Sequence, residues 1–111
     1  MLFRSRQSFR ETLRTLLEQG TYVGIATHDE ELIEDAVAQV RARGLAPADY
    51  ELQMLLGVRS ARGDELVRDG HRLRVYVPFG AHWYEYSVRR LQENPKVAGY
   101  VARDTLRRLR P

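Results

Sequence analysis

Two adjacent arginines, Arg89 and Arg90, are the residues of this chain whose type and spacing most plainly invite chemistry. A guanidinium is planar and permanently charged, and its N–H fork suits a carboxylate or a phosphate. A local reading competes. Glu93 follows Arg89 by four residues and Arg90 by three, the spacing of helix-surface ion pairs worth roughly a few tenths of a kcal/mol. Tyr86 precedes the pair by three and four residues, on a neighbouring helix face, and either shapes a pocket or packs. Tyr76 alternates with Val75 and Val77, so its ring points away from theirs, and a packed core tyrosine is the plain alternative. Gln53 is polar within an apolar stretch and needs a partner there, either the backbone or a ligand. Thr27 and His28 fit a helix start, with Thr27 as the cap. His71 and His82 have no comparable setting and are expected at the surface.

Composition narrows the chemistry. Cysteine is absent and the three histidines are scattered, which removes thiolate and disulfide chemistry and disfavours a metal site. The net charge of +3 is well mixed, with Glu30, Glu31, Glu34 and Asp35 crowding one segment and most arginines lying among acids. Neither a contiguous basic stripe nor a stacking motif points to nucleic acid. Lys96 is the only lysine, an excess of arginine that coding bias would also give. No apolar run reaches the ~18–20 residues of a membrane-spanning helix, and the first residues lack a signal-peptide stretch, so an intracellular soluble chain is expected.

The pattern that must position these residues alternates strand and helix. Ser8 and Glu11 have capping-box spacing ahead of Phe9, Leu13, Leu16 and Leu17, which predicts a first helix ending at Gly20. Tyr22 to Ala26 is a short apolar run, the pattern of a parallel strand covered on both faces. Thr27 and Glu30 repeat the capping-box spacing before a second helix carrying Leu32, Ile33, Ala36, Val37 and Val40. Tyr50 to Leu56 predicts a second strand, a short helix follows near Asp64 to Asp69, and a third strand begins at Arg72. A helix from about Trp83 to Asn94 and a last one from roughly Val97 to Leu109 complete one folding unit over 1–111. Three strand–helix cycles with short connections predict an α/β fold with parallel strands. Such strands suit a small open sheet or part of a (βα)₈ barrel, and in both the ligand-binding residues gather at the strands' carboxyl ends.

The stretch from Arg74 to Asn94 resembles the C-terminal signature of the proline dehydrogenase family. Its elements are Arg-Val-Tyr-Val-Pro-Phe-Gly at 74–80 and Tyr-Ser-Val-Arg-Arg-Leu-Gln-Glu-Asn at 86–94. Ala-Thr-His-Asp at 26–29 and Tyr-Glu-Leu-Gln-Met-Leu at 50–55 are similar to further family motifs, in the family's order. The resemblance implies that the three strands are the sixth to eighth of a TIM-like barrel, and the chain its C-terminal portion.

It implies further that the parent reaction oxidises L-proline to pyrroline-5-carboxylate and reduces FAD. Electrons then pass to a quinone or another acceptor, in a cytoplasmic protein or one peripheral at the inner membrane. Arg89 and Arg90 would hold the proline carboxylate, Leu55 would wall the ring, Tyr86 would shape the pocket, and the Tyr76 hydroxyl would lie near the substrate. Gln53 and Glu93 would contact the flavin, with Thr27 and His28 beside its adenosine half. The family's lysine and aspartate from early strands, and its arginine from mid-barrel, have no counterpart here, and Lys96 is misplaced to substitute. The expectation is a segment inactive alone, which self-associates through exposed barrel edges. The rival is a truncated remnant serving as a binding or structural module.

Overall fold

The computed structural model describes residues 2–93 and 95–109, so Asn94, the last residue of the motif, lies outside them. Helix α1 (Leu2–Glu18) precedes strand β1 (Val23–Ala26), and α2 (Glu30–Ala42) leads through a short turn to β2 (Tyr50–Leu55). Then come α3 (Ser60–Arg68), β3 (Leu73–Tyr76), α4 (Trp83–Glu93) and α5 (Pro95–Leu109). The strands form one sheet in the order β1-β2-β3, with both pairings parallel. Val23 stands opposite Tyr50, and Leu52 opposite Leu73. The chain is therefore α/β, three parallel strands alternating with helices, an arrangement that fits part of a TIM-like barrel.

The core lies on one face of the sheet. Leu13 and Leu17 of α1, Ile33, Ala36 and Val40 of α2 and Leu66 of α3 pack with Ile25, Tyr50, Leu52 and Met54 of the strands. Each strand shows its alternate residues to the other side, because successive side chains point to opposite faces. That second face carries Gly24, Ala26, Glu51, Gln53, Leu55, Arg74 and Tyr76. The expectation that β1 is covered on both faces is thus corrected: Ile25 is buried, whereas Gly24 and Ala26 are exposed.

Two helix starts and one histidine also differ from expectation. Ser8 is an exposed residue inside α1, since the helix already runs from Leu2 and Ser8 has no end to cap. The cap of α2 is Asp29, not Thr27. Its carboxylate accepts the Leu32 N–H at 3.3 Å and is held by Arg6 at 2.7 Å, while the Thr27 hydroxyl accepts the Asp29 N–H at 3.1 Å. His71 is buried, not at the surface, because the turn at Gly70 (φ +94°) drops it beside the Tyr50 ring, with Nδ1 2.6 Å from the Tyr50 hydroxyl. Pro95 opens α5 two residues earlier than the pattern predicts, as a first-turn proline can.

These assignments separate by stability. Asp29→Ala removes a cap and should cost ~0.5–2 kcal/mol in urea denaturation. Ser8→Ala should stay within about 0.5 kcal/mol, because an exposed mid-helix serine supports no end.

Candidate active site

At the carboxyl ends of the strands, α4 crosses the open face and leaves a cavity of about 400 Å³. From the sheet come Gln53 and Leu55 of β2 and Tyr76 of β3, from the turn after β1 comes His28, and from α4 come Tyr86, Arg90 and Glu93. The Arg90 Nε donates to the Tyr86 hydroxyl at 3.1 Å, and its guanidinium carbon lies 5.3 Å from the centre of the Tyr86 ring. The Tyr86 ring is tilted against Tyr76 at 5.8 Å. The phenol raises the Arg90 pKa through that hydrogen bond, so the cation is secure. A fixed positive group beside two aromatic rings and the Leu55 side chain can bind a small apolar molecule with a carboxylate.

Seven of the nine residues singled out by sequence therefore meet in one cavity. Arg89 and Thr27 do not line it. Arg89 is exposed on α4, one position and ~100° away from Arg90, and no ion pair joins either arginine to Glu93 among the described residues. Thr27 sits at the end of β1, occupied by its turn to Asp29.

Below the cavity lies a charged cluster that sequence reading missed. Glu51 is 3 % exposed, and its carboxylate accepts from Arg74 (Nε, and Nη2 at 3.0 Å), Gln53 (3.0 Å) and Tyr22 (2.9 Å). Those hydrogen bonds, Arg74 first, hold its pKa down to about 2. The signal was present in sequence: Glu51 and Arg74 are charges set between apolar neighbours on strands, where an unpaired charge is costly. Gln53 is thereby explained. Its partner is Glu51, and its amide lies so close over β1 that a Cβ on Gly24 would collide with Nε2.

A second missed group ties the strand ends. His28 Nε2 accepts the Leu55 N–H at 3.0 Å, and Arg59 donates to the His28 carbonyl at 3.0 Å while pairing with Glu30 at 2.7 Å. Burial, and then the Arg59 charge, lower the His28 pKa below its ordinary 6.5.

The chain is thus a parallel α/β segment with an arginine–tyrosine pocket at its strand ends. The family model for proline dehydrogenase matches residues 4–103. The chain is 39% identical over 101 residues to the proline dehydrogenase of Deinococcus radiodurans, covering 91% of this chain and 33% of that protein. Proline dehydrogenase 1 of Bacillus subtilis strain 168 is 36% identical over 100 residues, 90% of this chain and 33% of its own length. Proline dehydrogenase 2 of the same strain is 39% identical over 89 residues, 80% of this chain and 29% of its own length. The chain belongs to the proline dehydrogenase family and spans about a third of the length of these relatives.

The charged cluster gives a pH dependence with a defined sign. Glu51 titrates near 4.5 when unfolded and about 2 when folded, so its contribution is full above 4.5 and lost as pH falls toward 2. Melting temperature should therefore drop across that window, and Glu51→Gln should flatten the drop. An unchanged acid limb in that variant would count against the cluster.

Proposed function

We propose that this chain supplies the substrate-carboxylate side of a flavin-dependent proline dehydrogenase barrel. The observation that carries the reading is Arg90, stacked on and hydrogen-bonded to Tyr86 in the cavity that Leu55 and Tyr76 complete. Arg90 binds the proline carboxylate, with Arg89 closing from the exposed flank of α4. Leu55 packs against the ring, and the Tyr76 hydroxyl lies near the reacting end. Arg90 is exposed in this chain, and a charged donor gains most once water is excluded around it, a shielding that the rest of the barrel would supply.

The residues fit one part of FAD and not all of it. A cavity of about 400 Å³ accommodates proline and an edge of a flavin ring, with polar contacts from Gln53 and Glu93, but not a dinucleotide. His28 and Thr27, at the end of β1, would meet the adenosine side. When bound, the flavin accepts the hydride lost by proline. The protein's part is to orient the substrate, fix the charge and keep water out. A quinone or another acceptor then takes the electrons. No described helix is long and apolar enough to cross a membrane.

Arg90→Met, made in a full-length enzyme carrying this segment, should lower kcat/KM for proline at least about tenfold, as loss of one charged hydrogen bond implies, with flavin content kept. Normal proline kinetics with a reduced melting temperature would sink the assignment.

The chain alone should bind FAD weakly or not at all, since few of the contacts lie within it. It should also self-associate, because β1 and β3 leave unpaired edges and Phe79 is 88% exposed. Gel filtration with light scattering checks both points. A yellow, monodisperse monomer would contradict them and favour a complete small binding module.

A further inference from the structure

The bond between His28 and the Leu55 amide has a consequence for the site that its place on the pocket wall does not itself explain. A neutral imidazole has one N–H and one bare nitrogen, and a backbone N–H can only be received by the bare one. Because Nε2 accepts the Leu55 N–H at 3.0 Å, the ring proton must be on Nδ1. Nδ1 has no hydrogen-bond partner among the described residues, and His28 lines the cavity. The ring is steadied from behind. Arg59, in the left-handed region at φ +53° where a non-glycine residue is strained, reaches back to the His28 carbonyl and stacks over Tyr100 at 5.2 Å.

We propose that His28 is a positioning residue with a fixed tautomer: through Nε2 it pins the carboxyl end of β2, and with it Leu55. The functional weight of the pin rests on the proposed role of Leu55 as the wall behind the substrate ring. The pin itself does not, and it is read without proline or flavin.

Protonation of His28 places a proton on Nε2 and removes the acceptor. The charged groups around the ring are Asp29 and Glu30 at the start of α2, Arg59 before α3, Arg74 on β3, and Arg90 and Glu93 on α4. Burial and Arg59 hold the folded pKa below 6.5. The pin is therefore intact above 6.5 and lost as pH falls through the lower folded value.

The test is nitrogen-15 NMR on the 111-residue chain at pH 7.5, free of ligand. The expected result is a pyrrole-type Nδ1 and a pyridine-type Nε2 for His28, with the Leu55 amide protected from hydrogen exchange. In His28→Asn, whose side-chain oxygen falls near the Nδ1 position and cannot reach Leu55, exchange at Leu55 should rise about tenfold, the factor that one lost hydrogen bond gives. His28→Gln, whose Oε1 falls near the Nε2 position, should restore most of the protection. A proton on Nε2 in the parent chain would overturn the proposal even if a variant failed to fold. So would equal Leu55 exchange in the Asn and Gln variants.

Discussion

The Glu51 carboxylate, buried near the start of β2, is the constraint on which the site side of this structure depends. A buried charge is tolerated only when its lone pairs are filled, and here three segments fill them: Tyr22 before β1, Gln53 on β2 itself and Arg74 on β3. One group thus ties all three strands at a level just below the cavity. The same demand decides side-chain choice around it. Gln53 turns its amide toward Glu51, and a Cβ at position 24 would push that amide aside. The floor of the pocket is set before any ligand arrives.

Above that floor the geometry comes from the strand ends. His28 and Arg59 join the turns after β1 and β2, so Leu55 is held by its backbone rather than by packing alone. Helix α4 then brings Tyr86 and Arg90 over Tyr76. Its neighbour α5 is anchored through Asp104, whose carboxylate accepts the Ser60 N–H at 2.9 Å and so caps the start of α3 from another helix. The arginine pair splits as helix geometry requires: both are exposed, but only Arg90 lines the cavity.

Much of this was legible in sequence because it follows from period and punctuation. The helical spacing of Ile33, Ala36 and Val40 and the alternation of Leu73, Val75 and Val77 each predict the observed element. The misreadings have physical causes. Ser8 and Glu11 match a capping box by spacing, but a helix already under way gives the serine nothing to cap. Thr27 loses the cap to Asp29, because Arg6, distant in sequence, favours the carboxylate there. His71 looks exposed until Tyr50 is placed across from it. Seven of the nine site residues share a cavity, and the links among them through Glu51 and Arg59 are tertiary, which no local pattern carries.

The central proposal is that this segment completes a proline-oxidising flavin site whose other side lies in the part of the relatives' length that the chain does not span. The direct measurement mixes the chain with the separately expressed remaining portion of a relative's barrel, adds FAD, and follows flavin absorbance on addition of L-proline without oxygen. The account predicts that the mixture retains flavin and bleaches with proline, that neither piece does so alone, and that the chain carrying Arg90→Met gives a coloured complex that bleaches at least about tenfold more slowly at low proline. A complex that forms and holds flavin yet bleaches equally well with Arg90→Met would contradict it.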